Sequence, residues 1–282
     1  MYSIILLASP LIVQVFYPNF VFHYLPGQSQ SSPTHIHDAI LNSSYSALLE
    51  ACYRHSYTTQ VVSLDPLMIY INNFTSVAEA EALIALGSAD FEDSFISRSG
   101  GGTQKVSGRT SQSAPLEMQN PLVSCIISRA RSFLGTMMDV NEPFSTPQLV
   151  RYFSTQRYDL HTDFWPRNQL LPDDSGRFFN RPASFFVFLR DNCTGGETWF
   201  PSVEMNPGKE AGFGGKVKAG KKDGEGGKGV RFKPERGNAI FWINIRDNGE
   251  KDRRVVHAGL PVEEGEKIGM NIWPRKFYAK EE

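Results

Sequence analysis

The tripeptide His161-Thr162-Asp163 and the distant His257 constrain the fold of this chain more strongly than any other feature. Two imidazoles and one carboxylate can bind one face of a ferrous ion and leave the opposite face open. In a β-strand, residues i and i+2 point to the same side, so His161 and Asp163 can reach one ion. A His-x-Asp pair alone is weak evidence, because a surface turn with an ordinary ion pair also contains it. If the three residues do act together, the fold must bring two remote strands side by side.

Lys267 adds a second constraint. The segment after it alternates with the period of a strand, which places Lys267 on the same side as Gly269, Asn271 and Trp273. A lysine on the inward side of a strand needs an anionic partner, because a buried unpaired ammonium is costly. A dicarboxylate co-substrate would provide that partner.

The surroundings of these residues resemble the catalytic region of the prolyl 4-hydroxylases, which are 2-oxoglutarate- and Fe(II)-dependent dioxygenases. The family pattern runs Tyr-x5-Tyr-x2-His-x-Asp, then a Gly-Gly-Glu-Thr-x-Phe-Pro turn, then His-x9-Lys. All three parts occur here in that order, between Tyr152 and Lys267. The resemblance extends over roughly Pro66–Trp273, and it implies Fe(II), 2-oxoglutarate and dioxygen as cofactor and co-substrates, with ascorbate as a further candidate.

The resemblance also implies roles for individual residues of the site. His161, Asp163 and His257 would be the iron ligands. Lys267 would pair with the distal carboxylate of 2-oxoglutarate, and Tyr152 would donate a hydrogen bond to the same group. The metal ligands and Lys267 are therefore the predicted catalytic residues.

Further positions match the family less closely. Ser184 occupies the place of a threonine near 2-oxoglutarate, while Tyr158 and Arg109 match residues on the substrate side. Thr155 replaces a family glycine, and Phe188 replaces a family tyrosine. These two departures leave the metal ligands unchanged but put the identity of the substrate in doubt.

The reaction implied is the hydroxylation of an unactivated C–H bond, on prolyl residues of a peptide or protein, with conversion of 2-oxoglutarate to succinate. One alternative keeps this chemistry but acts on a free amino acid or a small secondary metabolite. Another is a non-catalytic jelly-roll binding protein, against which the complete set of site residues argues. The sequence shows no Ser-His-Asp context, Walker loop or dinucleotide fingerprint.

The expected fold is mostly β with flanking α-helices, in the form of a double-stranded β-helix, or jelly roll. Such a fold gathers strand positions that are distant in sequence inside one open mouth. Apolar runs at Ser184–Leu189 and Ala239–Ile245 predict buried strands. A capping box at Ser76 predicts a helix that ends at Gly87, and a second helix is predicted over Asn120–Gly135. The first helix should pack through an apolar face, namely Val77, Ala80, Leu83 and Ile84.

The chain divides into two predicted regions. Residues 1–34 form an apolar segment and linker that would act as a signal peptide or membrane anchor, and residues 35–282 form the dioxygenase domain. Within that domain, the glycine- and lysine-rich residues 208–229 predict a solvated, mobile hairpin extension. The polar stretch Phe91–Leu116 predicts a flexible lid over the substrate groove.

Charge and cysteine content indicate the partners and the compartment. A net charge of −1 and a pI of about 6.6 argue against nucleic acid as a partner, and a membrane is a partner only if residues 1–34 are an anchor. Cys52, Cys125 and Cys193 allow one disulfide and leave at least one thiol unpaired. Three N-glycosylation sequons begin at Asn42, Asn73 and Asn192. Together with the apolar N-terminus they favour the endoplasmic reticulum or secretory pathway, with the cytoplasm as the alternative.

Overall fold

The computed structural model describes residues 44–97, 103–104, 106–171, 175–205, 208–220 and 228–280. The predictions for residues 1–34 and for the sequon at Asn42 lie outside these ranges. Described residues from Tyr45 onward belong to one unit by their mutual contacts. Within the described ranges, no helix is long and apolar enough to cross a membrane.

The helices begin and end where local signals place them. They are α1 (44–53), α2 (Val77–Gly87) and α3 (Pro121–Leu134). The predicted capping box of α2 is present, because the Ser76 hydroxyl accepts from the Glu79 amide and the Glu79 carboxylate accepts from the Ser76 amide. Asn120 caps the start of α3 in the same way.

The apolar face predicted for α2 is wrong at its first residue. Ala80, Leu83 and Ile84 are buried, but Val77 is 51% exposed. The first turn of the helix instead buries Glu79, because that carboxylate pairs with the guanidinium of Arg129. Burial of an ion pair has therefore rotated the start of the helix away from the arrangement that hydropathy predicts.

Most of the remaining chain is strand. The strands are β1 (Thr58–Leu64), β2 (Leu67–Asn72), β3 (Glu92–Asp93), β4 (Ile96–Ser97), β5 (Thr103–Gln104), β6 (Gln112–Pro115), β7 (Gln148–Phe153), β8 (Tyr158–His161), β9 (Gln169–Leu170), β10 (Phe178–Asn180), β11 (Ala183–Gly195), β12 (Thr198–Phe200), β13 (Val217–Ala219), β14 (Val230–Phe232), β15 (Ala239–Ile243), β16 (His257–Gly259), β17 (Val262–Ile272) and β18 (Lys276–Tyr278).

Two antiparallel sheets form the body of the fold. The major sheet has eight strands in the order β1-β2-β15-β11-β17-β7-β6-β3, and the minor sheet has five in the order β13-β14-β12-β16-β8. Side chains from both sheets meet in one apolar core, whereas the opposite face of the major sheet packs against the helices. This is the predicted double-stranded β-helix with flanking helices.

Strand β11 shows why the apolar runs signalled buried strands. Phe185 and Val187 point to the core beneath the helices, while Phe186 and Phe188 point to the core between the sheets. Since both faces of the major sheet are covered, the strand has no polar face at its centre, and residues 183–189 are all buried.

Two polar segments contain paired strands. In the glycine- and lysine-rich insert, β13 pairs with β14, and Phe213 and Val217 are buried between the sheets. In the segment predicted as a lid, β6 pairs with β7 and β3 extends the edge of the major sheet. The antiparallel pairing of β13 with β14 agrees with the predicted hairpin, whereas the burial of Phe213 and Val217 departs from the prediction of a fully solvated segment. The mobility of the insert and of the lid stays a prediction.

A buried ion pair and a disulfide join the helices to one another. The guanidinium of Arg129 donates to both carboxylate oxygens of Glu79, at 2.7 and 3.0 Å, and to the carbonyls of Cys52 and Phe74. Cys52 forms a disulfide with Cys125, which links α1 to α3. The structure thus contains the one bridge that the cysteine count allowed.

Substitution of Glu79 by glutamine is expected to lower the free energy of unfolding by about 3–5 kcal/mol, because it leaves the Arg129 charge buried without a counter-ion. Chemical denaturation monitored by far-ultraviolet circular dichroism would measure the loss. Glu81→Gln is the matched control, since Glu81 pairs with Arg236 at the surface. Equal stability of the two variants would contradict the assignment.

Candidate functional site

The structure brings His161, Asp163 and His257 together at the open end of the two sheets. Strands β8 and β16 pair so that His161 lies directly opposite His257. The Nε2 atom of His161 lies 3.9 Å from Oδ1 of Asp163, and Nε2 of His257 lies 4.0 Å from Oδ2. One nitrogen or oxygen from each residue lies within 4.8 Å of the others, which suits a shared metal ion.

Strand alternation alone does not place Asp163, because β8 ends at His161. Instead, the carboxylate is oriented by its own hydrogen bonds. The hydroxyl of Ser184 donates to Oδ2 at 2.6 Å, and the indole Nε1 of Trp273 donates to the same oxygen at 3.0 Å. Since Oδ2 is held by two donors, Oδ1 is the oxygen better placed to bind a metal.

Both imidazoles present the same tautomer. Nδ1 of His161 lies 2.8 Å from the carbonyl of Asp159, and Nδ1 of His257 lies 3.0 Å from the carbonyl of Val255. A carbonyl only accepts hydrogen bonds, so each Nδ1 must carry the proton. Each Nε2 therefore offers its lone pair, and the backbone fixes the orientation of the ring.

Burial and neighbouring charges favour the ionisation states that a metal site needs. Burial, together with His257, lowers the pKa of His161 below its ordinary value, so the imidazole is neutral at neutral pH. Burial acts to raise the pKa of Asp163, but His257 and His161 in their protonated forms, the charge of Arg181 and the hydrogen bond from Ser184 together lower it below its ordinary value. A neutral imidazole and an ionised carboxylate are both competent ligands.

Ser184 has a different contact from the one predicted near 2-oxoglutarate. It donates to Asp163 and accepts from the side-chain amide of Asn244 at 2.9 Å, which makes it a positioning residue for the carboxylate. Substitution by alanine is expected to lower Fe(II) affinity by about 10–100-fold, because the carboxylate loses one of its two donors.

Titration of the apoprotein with Fe(II) or Co(II) would measure the effect of Ser184→Ala. Thr75→Ala is a suitable control, because its hydroxyl is also buried but belongs to a loop beside α2. If both variants bound the metal as tightly as the unmodified protein, Trp273 alone would orient Asp163.

A cavity of about 510 Å³ leads from the triad to Lys267. The lysine is 1% exposed, and its ammonium donates to the carbonyl of Gly196 at 2.6 Å. The rings of Tyr152 and Phe186 lie 5.2 and 5.1 Å from Nζ. Burial lowers the pKa of Lys267 to about 8, and Cys193 and Glu197 only partly oppose this. An anion in the cavity would remove that cost of burial.

The cavity fits a dicarboxylate at this end. Thr198 lines it, and the Thr198 hydroxyl is buried with no partner among the described residues. Tyr152 is the cross-strand neighbour of Lys267, so its phenol lines the same wall as predicted. Asn271, four residues further along β17, adds an amide. Ammonium, hydroxyl, phenol and amide donors thus surround a space beside the metal ligands.

Sequence reasoning gave no role to Thr198. The signal was present, because strand alternation around Trp199 turns Thr198 inward within β12. The predicted residue Ser184 does not line the cavity, whereas Thr198 does.

Gly269, two residues after Lys267, is tightly packed. A Cβ atom added at Gly269 would lie 2.3 Å from the ring of Phe186. The ring therefore fills the space that a side chain at Gly269 would occupy, and Phe186 also forms part of the cavity wall.

The two departures from the family pattern have separate structural settings. Thr155 adopts φ of 70°, in the left-handed region where glycine is favoured, and its amide donates to the carbonyl of Val262 at 2.7 Å. The turn between β7 and β8 is thus kept despite the branched side chain. Phe188 is fully buried, and its ring lies 5.7 Å from Nζ of Lys267.

The substrate-side residues predicted from the sequence lie at the mouth of the cavity. The ring of Tyr158 stacks on His161 at 3.6 Å, and the guanidinium of Arg109 lies 4.6 Å from the Tyr158 ring centroid. Sequence reasoning missed Arg181, whose guanidinium also lines the cavity. Its only sequence signal is the position just before the buried strand β11.

Comparison with known proteins agrees with this geometry. Residues 147–275 match the 2OG-Fe(II) oxygenase superfamily. The chain is 29% identical over 222 residues to "Prolyl 4-hydroxylase 1" of Arabidopsis thaliana, and the aligned region covers 77% of this chain and 71% of the relative. It is 27% identical over 218 residues to "Probable prolyl 4-hydroxylase 9" of the same plant, with the same two coverages.

A solved structure supports the fold. The viral collagen prolyl hydroxylase from Paramecium Bursaria Chlorella virus-1 aligns with a TM-score of 0.51 and 24% identity, over 74% of this chain and 95% of that chain. The fold, the triad, the buried lysine and the sequence matches agree. The chain is an Fe(II)- and 2-oxoglutarate-dependent dioxygenase that resembles the prolyl 4-hydroxylases.

Proposed function

We propose that this enzyme hydroxylates prolyl residues of a peptide or protein. The observation that carries the proposal is a single cavity that holds the triad at its centre, Lys267 at its inner end and an aromatic and cationic mouth. Relatives named as prolyl 4-hydroxylases match 77% of this chain. The open mouth suits a chain that passes across it better than it suits a fully enclosed small molecule.

Each part of the cavity has a distinct task in this reaction. When bound, Fe(II) and 2-oxoglutarate would activate dioxygen, which is the oxidant: one of its oxygen atoms would enter the substrate C–H bond and the other would enter succinate. His161, Asp163 and His257 would hold the iron, and Lys267 with Tyr152 and the missed Thr198 would orient the co-substrate. Tyr158 and Arg109 lie where they would position the substrate over the metal.

Mass spectrometry tests the proposal directly. The purified protein, supplied with Fe(II), 2-oxoglutarate and ascorbate, should add one oxygen atom to the prolyl residue of a proline-rich peptide, and succinate should form in equal amount. Fragmentation locates the hydroxyl group. Activity on free proline or another small molecule alone would contradict the peptide substrate and favour the alternative, and absence of both turnover and iron binding would favour a binding protein.

The affinity for 2-oxoglutarate is expected to fall as pH rises above about 8. The pKa of Lys267 in the co-substrate-free protein is about 8, and only the protonated form attracts the carboxylate. Above this value, the apparent Kd should rise about tenfold for each pH unit, because one proton must be taken up on binding. Calorimetric titration of the Mn(II)-loaded protein between pH 7 and pH 10 measures this, and a flat profile would contradict it.

We also propose that the protein folds in the endoplasmic reticulum or secretory pathway. A disulfide between Cys52 and Cys125 is typical of an oxidising compartment. The sequon residues Asn73 and Asn192 are exposed. A mass decrease on glycosidase treatment of the protein from its native source would support this, and fractionation with cytosolic markers would contradict it.

A further inference from the structure

The cavity carries more positive than negative charge. The positively charged residues that line it are Arg109, Arg181 and Lys267, and the negatively charged one is Asp163. Fe(II) and the dianion of 2-oxoglutarate cancel in formal charge, so they leave this excess unchanged. An uncompensated charge in a partly dehydrated cavity is costly, and a substrate that brings a negative group would remove that cost.

Arg181 is a cation to which no carboxylate of the described residues is hydrogen-bonded; the charge of the metal ligand Asp163 acts on it only from nearby. Its guanidinium lies 4.2 Å from the ring centroid of Trp165 and 3.7 Å from that of Trp273, so it is stacked between two indoles. One nitrogen donates to the backbone carbonyl of Asp163 at 3.2 Å. A guanidinium has five N–H donors, and this carbonyl is the only acceptor that the described residues provide to it. Its Nε is buried with no partner.

The other cations near the mouth are committed to protein acceptors. Arg109 donates to the carbonyl of Phe95 and to the side chain of Gln148. Arg275 donates to the hydroxyl of Ser145, and its guanidinium lies over Phe179 rather than in the cavity. Both charges still act on Arg181 and make its surroundings more positive. Arg109 also has a buried Nε without a partner, but both of its terminal nitrogens are used, so Arg181 has the larger number of free donors, next to the backbone of a metal ligand.

We propose that Arg181 binds a carboxylate of the substrate, so that the enzyme selects prolyl residues that lie next to a carboxylate. The inference rests on the proposed function and names its specificity. A planar guanidinium fixed by two rings matches a carboxylate through paired hydrogen bonds and loses little side-chain freedom on binding. The carboxylate can come from an aspartate or glutamate that neighbours the proline, or from the C-terminus of a chain that ends in proline.

Two pairs of peptides, whose members differ only in the presence of one carboxylate, test the proposal in the unmodified enzyme. In one pair, the residue after an internal proline is glutamate or glutamine. In the other pair, a C-terminal proline ends as the free acid or as the amide. We expect kcat/KM to be about tenfold higher for the carboxylate member of at least one pair, mainly through a lower KM, since one charge-assisted bond is gained. The pair that shows the preference identifies the source of the carboxylate.

Variants assign the preference to Arg181. In Arg181→Gln, the ratio of kcat/KM between the two members of a peptide pair should fall to about one. In Arg236→Gln, which alters only a surface ion pair with Glu81, this ratio should be unchanged. Because Arg181 contacts the backbone of Asp163, its loss can also weaken the metal site. The ratio within each variant cancels such a general loss, and Co(II) titration reports it separately.

The outcomes separate this inference from the proposed function. Equal hydroxylation of both members of both pairs, or a preference that persists in Arg181→Gln, overturns the carboxylate subsite and leaves prolyl hydroxylation standing. If none of the peptides is hydroxylated, the proposed function fails. In that case, calorimetric binding of the same peptides to the Mn(II)- and 2-oxoglutarate-loaded protein decides the subsite, since tighter binding of the carboxylate member supports it and equal or absent binding overturns it.

Discussion

The His161→Ala variant is expected to lose iron binding and activity together. Removal of one imidazole leaves a neutral nitrogen ligand, His257, and one carboxylate, which cannot hold a ferrous ion firmly with so few protein donors. Loss of a hydrogen bond to a ligand already costs about 10–100-fold in affinity, so loss of the ligand itself should cost at least about a hundredfold. Iron content after dialysis and succinate production are the two measurements.

His55→Ala is the matched control for this variant, because Nε2 of His55 donates one hydrogen bond to the carbonyl of Asn73 outside the cavity. Its iron content should equal that of the unmodified protein. Unchanged iron stoichiometry in His161→Ala would refute the ligand assignment, since no other group of three such residues among the described residues could take its place.

The Lys267→Ala variant is expected to bind 2-oxoglutarate far more weakly while still binding iron. Lys267 is the buried cation at the inner end of the cavity, and its loss leaves the distal carboxylate without a counter-ion. Breaking a buried ion pair costs about 3–5 kcal/mol, which corresponds to roughly a hundredfold to several thousandfold rise in the KM for 2-oxoglutarate. Steady-state kinetics with varied 2-oxoglutarate measures this rise.

Lys216→Ala provides the control for this second variant. Lys216 is also partly buried, but its ammonium donates to Asn72 and lies near Tyr70, away from the anchor pocket. The KM for 2-oxoglutarate should therefore be unaltered in Lys216→Ala. If it were also unaltered in Lys267→Ala, the anchoring role would have to move to another donor, and Thr198 is the nearest candidate on the same wall.

Local signals in the sequence predicted the elements that depend on local contacts. The capping box at Ser76 and the asparagine cap before Pro121 are formed within a few residues, and both helices begin where these signals place them. The run from Ala183 onward is buried on both faces, so its hydropathy indicates a central strand. The jelly roll was predicted as a fold in which Asp163 and His257, although distant in sequence, can share one metal site.

Features that depend on contacts between remote segments were not predictable in the same way. Val217 is buried where β13 pairs with β14, although the surrounding glycines and lysines indicate a fully solvated hairpin. Val77 is exposed because Glu79 turns inward to a residue on another helix. Short polar segments have little hydropathy of their own, so their structure depends on what the remainder of the fold offers them.

The same distinction applies to the site. Ligand types and their order in the chain predicted the triad, because metal chemistry restricts which residues can serve. The donors that orient Asp163, from Ser184 and Trp273, depend on three separate segments meeting, and no spacing in the sequence reports this. Arg181 was missed for a related reason, since its setting between two indoles is formed by residues on both sides of it in sequence.

The close approach of the Phe186 ring to Gly269 has an evolutionary consequence. A methyl group at position 269 would lie 2.3 Å from that ring, so the two positions cannot both carry large side chains. Relatives that have an alanine or larger residue at the position of Gly269 should carry a slimmer aliphatic residue in place of Phe186. Substitutions at these two sites should therefore be inherited as pairs, and either one alone should be rare in this lineage.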